Sequence, residues 1–351
     1  MRLRHLAFLA LVVAGCSPAA SDGSGKDAPA AQAAAPAAAT AAPPPDGAPR
    51  LVFPVACKVG ESCEVQNYVD RDPGPGVKDY MCLSRTYADH GGVDIRLPDL
   101  AAQKRGVDVL AAAAGTVLRV RDDMPDVSVR QSGTGAVDGR DCGNGLVIDH
   151  GGGWETQYCH MAQGSLRVQP GQTVAAGEPI GRIGLSGMTE YPHLHITVRR
   201  AGTVVDPFAP AGGDTCRAQD ALWDPGAMAQ MAYKRQTVLN TGFTSQAVQM
   251  EALEAGALPP AGGDAPALVA YVRAINLEPG DVQELVLRGP AGAVLAAGKA
   301  EPMPRARAQH MMFVGKKRPQ EGWPQGRYQA TYRVVRGDGQ EAVRKTFEIS
   351  L

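Results

Sequence analysis

No long run of lysine or arginine occurs in this chain, and its formal net charge is only −1. The electrostatic footprint of a nucleic-acid binder is therefore missing, and no nucleic-acid partner is expected. The glycine-rich segments look like turns and no phosphate-loop lysine follows any of them, so none reads as a phosphate-binding loop. No Cys-x-x-Cys pair occurs, which argues against a structural zinc site built from four cysteines. Large apolar side chains are almost missing from residue 17 to about residue 50, where Ala, Pro, Ser, Gly and Asp prevail. Such a stretch buries too little surface to offset its ordering entropy, so a disordered Ala/Pro-rich tether is expected over 16–50. The apolar stretch at 6–14 is too short to span a bilayer as a mature helix.

That stretch follows Met1-Arg2-Leu3-Arg4-His5, a positively charged lead, and together they read as a signal peptide over 1–15. Val13-Ala14-Gly15-Cys16 resembles the lipobox of bacterial lipoproteins. The resemblance implies cleavage before Cys16 and acylation of its sulfur and amine. Ser17, where an aspartate would retain such a protein, favours the outer membrane by analogy with enteric bacteria. The expected location is the periplasmic side of the envelope, with a membrane contact through lipid on Cys16. Setting Cys16 aside leaves Cys57, Cys63, Cys82, Cys142, Cys159 and Cys216. An even set in an exported chain favours disulfides. Cys57 and Cys63 are near enough in sequence to close a small loop, and the further expected pairs are Cys82 with Cys142 and Cys159 with Cys216.

With 351 residues the chain has room for two ordinary domains plus tails, and its 42 Gly and 27 Pro point to loops and strands more than long helices. Over 51–218, short β-like runs alternate with glycine-rich turns. Residues 109–113 and 116–120 flank a turn near Gly115, 146–149 and 154–160 flank His150-Gly151-Gly152-Gly153, and 193–199 return through Ala201-Gly202. The pattern predicts a mainly β fold with an antiparallel sheet. Polar residues 121–141 interrupt it as a rim loop. A connecting segment is expected over 219–265. Over 266–351 alternation returns, with Tyr328, Ala330, Tyr332 and Val334 on one face and a turn at Gly337-Asp338-Gly339. This predicts a C-terminal β-sandwich, which carries no site signal.

Of seven histidines, those that matter stand in His90-Gly91-Gly92-Val93-Asp94, at His160 and in His193-Leu194-His195. Histidine and aspartate are the ligand set of a catalytic zinc, where three protein groups bind and a fourth position stays open. In a strand, His193 and His195 project to one face while Leu194, Ile196 and Val198 project to the other. Gly91 and Gly92 are expected to permit the bend that lets His90 and Asp94 converge. Alternation also puts Trp154, Thr156, Tyr158 and His160 on a single face and sends Cys159 to the opposite one. That placement favours a disulfide over a thiol nucleophile at Cys159. His150 and His310 read as surface or core histidines.

In this order, His-x-x-x-Asp, Tyr-x-His and His-x-His resemble the LytM/lysostaphin-type (M23 family) zinc metallopeptidases. The resemblance covers roughly residues 80–208. Gly143-Asn144-Gly145, Gln157-Tyr158-Cys159-His160 and Ser186-Gly187-Met188-Thr189-Glu190-Tyr191-Pro192-His193-Leu194-His195 match closely. It implies a LytM-like catalytic domain whose Zn²⁺ is held by His90, Asp94 and His195. His160 and His193 would be the unliganded catalytic pair, one deprotonating the zinc water and the other steadying the oxyanion. The implied activity is that of a zinc metalloendopeptidase hydrolysing peptide cross-links of peptidoglycan, with stem peptides as the substrate partner. In a Gram-negative envelope the bond would join D-alanine to meso-diaminopimelate.

Arg199 and Arg200, on the strand carrying the site, are candidates to receive stem-peptide carboxylates, and Met188 and Tyr191 to line the groove. Gly91 departs from a pattern in which many relatives carry a larger residue, without removing a ligand. The alternative is a non-catalytic LytM-like peptidoglycan-binding protein or amidase activator. Such relatives have usually lost metal ligands, whereas this chain keeps all the polar groups. A regulatory protein partner is left open. Residues 168–183 also resemble a biotinyl or lipoyl carrier hairpin, but no lysine stands between Lys104 and Lys234 to be modified.

Overall fold

The computed structural model describes residues 47–213 and 215–351. The signal peptide over 1–15, the lipid-bearing Cys16 and the tether as far as residue 46 lie outside the described residues. Among the described residues no helix is long and apolar enough to cross a membrane. Ordered packing begins before Leu51, because Ala48 is already buried with the first core.

Ten short strands occupy the N-terminal part: β1 (Glu64–Asn67), β2 (Val93–Arg96), β3 (Asp108–Leu110), β4 (Gly115–Arg121), β5 (Asn144–Gly151), β6 (Trp154–Met161), β7 (Thr173–Val174), β8 (Pro179–Arg182), β9 (His193–Arg200) and β10 (Thr203–Val205). An eight-stranded sheet runs β1-β2-β9-β6-β5-β4-β7 with β10 also on β9, and β3 pairs separately with β8. The ladders of the central strands are antiparallel. Alternation decides which face is buried. Ile95, Leu194, Ile196 and Val198 point into one core with Trp154, Tyr158, Val109, Ile180 and Trp223. The Tyr158 hydroxyl, though buried, accepts from the Ala112 amide at 2.7 Å, so its polar end is satisfied.

The hairpin around residues 150–153 forms as expected, β5 against β6. Residues on either side of Gly115 do not pair with each other: Val109 pairs with Gly181 and Thr116 with Asp149. A Cβ on Gly115 would stand 2.3 Å from the Asp149 carbonyl oxygen, so this glycine seats β4 against β5 instead of making a hairpin turn. The expected Cys57–Cys63 disulfide is present, but the other two pairings are corrected to Cys82–Cys216 and Cys142–Cys159. A turn is the reason. Gly143, at φ 64°, bends the chain off the β5–β6 ladder, and the His160 amide donates to the Cys142 carbonyl at 2.8 Å, which seats Cys142 beside Cys159 at a Cα separation of 4.7 Å.

The C-terminal part contains β11 (Thr237–Thr244), β12 (Ala267–Leu277), β13 (Val282–Arg288), β14 (Val294–Lys299), β15 (Arg307–Lys317), β16 (Arg327–Val335) and β17 (Glu341–Ser350). These form a three-stranded sheet, β11-β12-β15, and a four-stranded sheet, β14-β13-β16-β17. Their inner faces meet in a second core that includes Ala270, Val272, Leu285, Leu287 and the expected row Tyr328, Ala330, Tyr332, Val334. This is the β-sandwich predicted from alternation.

The stretch 219–265 is not a free connector. Leu222, Trp223, Ala227 and Met231 belong to the first core, while β11 pairs with β12 of the sandwich. Its elements are too short, and its apolar residues too few in each, for periodicity to reveal them. The helices α1 (Leu100–Arg105), α2 (Val129–Ser132), α3 (Pro225–Gln230) and α4 (Met250–Ala255) are likewise brief.

The two cores are joined by a polar clamp within one compact unit spanning Pro43–Leu351. Arg96 of β2 and Arg273 of β12 are both fully buried and both bind Glu254 of α4, Arg96 at 3.0 Å. Arg96 also donates to Gln66 at 2.8 Å and to Gln309 at 2.9 Å. Arg273 donates to Asn240 at 3.1 Å and to the Pro98 carbonyl. Burial, reinforced by the charge on Arg96, pushes the Arg273 guanidinium down to about 10. Two buried cations on one carboxylate make that carboxylate indispensable. Glu254→Ala is expected to cost roughly 3 kcal/mol in urea unfolding, whereas Glu301→Ala on the exposed surface should stay within about 0.5 kcal/mol of the parent.

Candidate metal centre and its cleft

The centre is built by strand register. In the β2–β9 ladder Asp94 lies opposite His195 and Arg96 opposite His193, and in the β6–β9 ladder Cys159 lies opposite His195. Opposite residues of a ladder share a face, so Asp94, His193 and His195 all stand on the side away from the core. His90 enters from the loop before β2. The left-handed turn that aims it is at Asp89, with φ 61°, not at Gly91 or Gly92. Gly92 serves a different purpose from the expected bend: a Cβ there would lie 2.6 Å from His195 Nε2 and 2.6 Å from the Ile196 carbonyl oxygen. Gly91 has ordinary room, with Val204 at 3.6 Å, which explains why a larger residue there is compatible with the site.

His90 Nε2 lies 3.1 Å from Asp94 Oδ1, His195 Nδ1 lies 2.9 Å from the same oxygen, and the two nitrogens are 3.1 Å apart. Zinc bonds of about 2.0–2.1 Å in tetrahedral geometry hold their ligand atoms about 3.3 Å apart, so this triangle fits the ion. The chemistry fits as well. His90 Nδ1 is 2.7 Å from the Tyr68 carbonyl, which can only accept, so the proton sits there and Nε2 is bare. His195 Nε2 has Thr197 Oγ1 at 3.0 Å as its partner, leaving Nδ1 free to ligate. The Asn67 amide donates to Asp94 Oδ2 at 2.9 Å and orients the carboxylate. Burial opposes the charge on Asp94, but the surrounding histidines His90, His193 and His195 hold the carboxyl well below its usual range. A buried set of electron-pair donors this close could hold a cation at its centre.

His193 and His160 complete the group. His193 Nε2 is 3.5 Å from Asp94 Oδ1, and the His160 and His193 ring centroids are 4.6 Å apart. The Nδ1 atoms of both rings face carbonyls, His193 toward Tyr191 at 3.0 Å and His160 toward Ser186 at 2.8 Å. Both therefore present a bare Nε2. Burial, then the neighbouring His193 and His195, pushes His160 well below the ordinary imidazole value, so it stands neutral at pH 7.

One sequence expectation about this strand is corrected. Trp154, Thr156 and Tyr158 do share the core face, but His160 does not follow them. At φ 61° it has left-handed backbone that breaks the alternation and turns the ring to the metal side. Cys159 and His160 consequently line the same cleft, Cys159 as part of its disulfide.

Two cavities flank the centre. One, of about 510 Å³, reaches from Asp94 and His193 past Tyr191 to Asn276 and Arg307 of the sandwich. The other, of about 310 Å³, runs from His160 and His195 past the Cys142–Cys159 disulfide to Arg199. Tyr87 and Met188 border both, so the two cavities adjoin at the histidines. Arg199 lies in this cleft and donates to Gln157 at 2.6 Å, whereas Arg200 sits over the Trp154 ring. Met188 lines the groove, half-exposed, while Tyr191 packs under the Arg96 guanidinium, 3.8 Å from ring to carbon. His150 bonds Ala114 and Thr156, and His310 bonds Gln283, both away from the centre.

Sequence reading passed over Asn67, the Tyr68 and Ser186 carbonyls, Thr197 and Arg96. Thr197 was within reach, being two residues after His195 on the same strand face. Asn67 and the carbonyls come from loops and strand ends that carry no pattern.

Comparison with known proteins agrees with this geometry. Residues 88–207 match Peptidase family M23. The cell division protein DipM of Caulobacter vibrioides is 29% identical over 119 residues, 34% of this chain and 16% of that protein. The DD-carboxypeptidase/endopeptidase Mpg of Neisseria meningitidis is 31% identical over 129 residues, 37% of this chain and 24% of that protein. The peptidoglycan DD-endopeptidase ShyA of Vibrio cholerae is 28% identical over 113 residues, 32% of this chain and 21% of that protein. The match thus spans about a fifth of these relatives' lengths. A zinc-containing peptidase from Vibrio cholerae has a crystal structure that is 24% identical, with a TM-score of 0.30, covering 45% of this chain and 38% of that one. Residues 88–207, which hold every residue of the His/Asp centre, are a domain of Peptidase family M23.

Proposed function

We propose that the chain is a zinc metalloendopeptidase that hydrolyses peptide cross-links of peptidoglycan, held by lipid on Cys16 at the periplasmic side of the outer membrane. The observation that carries this reading is the triangle of His90 Nε2, Asp94 Oδ1 and His195 Nδ1, with two further imidazoles beside it and none of the five displaced. Zinc held by these three groups supplies Lewis acidity to a scissile carbonyl and lowers the pKa of a water to about 7.

The remaining work falls to residues of this chain. His160 and His193 each offer a bare Nε2 whose tautomer is fixed by a carbonyl behind the ring. One accepts a proton from the attacking water. The other, after taking a proton from solvent, donates to the oxyanion, and the first passes the water's proton on to the leaving amine. Asp94 lies 3.5 Å from His193 Nε2, near enough to stabilise an imidazolium there. The cleft that crosses the centre suits an extended peptide rather than a compact metabolite. The names of two relatives, a DD-carboxypeptidase/endopeptidase and a peptidoglycan DD-endopeptidase, support peptidoglycan as the polymer. The signal-like start and Cys16 support a substrate outside the cytoplasm.

The test uses residues 43–351, the compact unit, with purified sacculi and cross-linked muropeptides. Loss of cross-linked dimer with release of new amine is expected, and chelation of the metal should stop it. His193→Ala and His160→Ala should each lower kcat by roughly 10²–10⁴-fold while metal content by atomic absorption stays near that of the parent. Asp94→Ala should instead lose the metal itself. If the metal-loaded protein binds sacculi yet releases no amine, the non-catalytic reading replaces this one. For the anchor, Cys16→Ser should move the protein from the membrane fraction to the soluble fraction, and unchanged fractionation would remove the lipid from the proposal.

A further inference from the structure

The sandwich brings its own side chains to the cleft. Arg307 opens β15 and stands opposite Leu277, the last residue of β12, and both residues line the larger cavity. Two residues along the same strand face, Gln309 accepts from Arg96, whose guanidinium covers the Tyr191 ring in the cleft wall. At Asn276, φ 59°, the end of β12 turns so that its amide donates to the Gln66 carbonyl at 3.0 Å. The wall is thus fastened to the M23 domain at two points close to Arg307.

The charges facing this cavity are few. Asp94 is engaged by the histidines, and Glu190 is paired with Arg130 at 2.6 Å. Among the described residues the Arg307 side chain has neither an ion pair nor a hydrogen bond, and it is exposed. It is therefore a guanidinium without a counter-ion, in a groove whose other charges are already satisfied. Arginine in such a place recognises a carboxylate through parallel N–H···O bonds.

We propose that the C-terminal sandwich forms a substrate subsite in which Arg307 binds a free carboxylate of the peptide lying across the metal centre, so that the protein selects acidic stem peptides over their amidated forms. This rests on the reading of the chain as a peptide-binding M23 protein, but it does not depend on turnover.

The experiment separates the two. The full chain in detergent, zinc-loaded and carrying His193→Ala to prevent cleavage, is titrated with a cross-linked muropeptide and with the same compound in which its free carboxylates are primary amides. About a tenfold tighter Kd for the carboxylate form is expected, as one charge-assisted contact gives. Arg307→Gln should bring the carboxylate compound to the affinity of the amide, and Arg307→Lys should restore part of the preference. Thermal midpoint and zinc content verify that each variant is folded. Equal affinity for the two compounds, no measurable binding of either, or a preference that survives Arg307→Gln would overturn the subsite. If the preference is found while the parent chain, without His193→Ala, leaves cross-links intact, the subsite stands and the hydrolytic reading fails.

Discussion

The pairing of β2 with β9 in one particular register is the constraint on which this site depends. Asp94 must lie opposite His195 and Arg96 opposite His193. A slip of one residue would send Asp94 toward the core and bring Ile95 to the metal side, because strand side chains alternate. The register is held from both directions. On the buried face, Val93, Ile95, Leu194 and Ile196 are almost without solvent contact, and their packing penalises any shift. On the other face Gly92 lets the chain approach His195 more closely than any side chain would permit. The hydrophobic core and the candidate metal site are thus two faces of the same ladder, each specifying the other.

Behind the histidines stands a set of neutral acceptors that decide where protons reside. The Tyr68, Ser186 and Tyr191 carbonyls hold the Nδ1 atoms of His90, His160 and His193. Tyr68 is itself fixed by the aromatic stack of Tyr80, Phe208 and Tyr233. Arg85 bonds the Val65, Gln66 and Lys234 carbonyls beside that stack, and the Cys82–Cys216 disulfide ties down the loop that carries it. The orientation of one imidazole is in this way the end point of packing that starts far from the site.

Much of this was legible in the sequence, and the reasons are local. His193 and His195 could be placed on one face because the period of a strand is two and Leu194 and Ile196 supply the apolar counterpart. The sandwich row from Tyr328 to Val334 was visible for the same reason. Where alternation was extended to His160 it gave the wrong face, because a single left-handed residue at a strand end resets the phase. Two disulfide pairings were misjudged since linear spacing carries little information about which ladder ends meet. The stretch 219–265 hid its structure because α3, β11 and α4 each contribute only a few apolar residues, and to different cores. Asn67 and Arg96 were unreadable as site residues: their importance comes entirely from what lies opposite them in space.

The shared use of Glu254 by Arg96 and Arg273 also bears on how such a protein can be divided and recombined. The M23 domain has its own core, yet Arg96 finds its counter-ion, Glu254, in α4 and a further acceptor, Gln309, in β15. Cut after Tyr233, the M23 sheet would keep the Arg96 guanidinium against Tyr191 and lose both its carboxylate partner and the elements that cover it. This sheet is therefore no portable cassette. A lineage that exchanged its C-terminal domain would have to replace Arg96 in the same step or supply a new acid from the incoming partner, so the two halves inherit one another's substitutions.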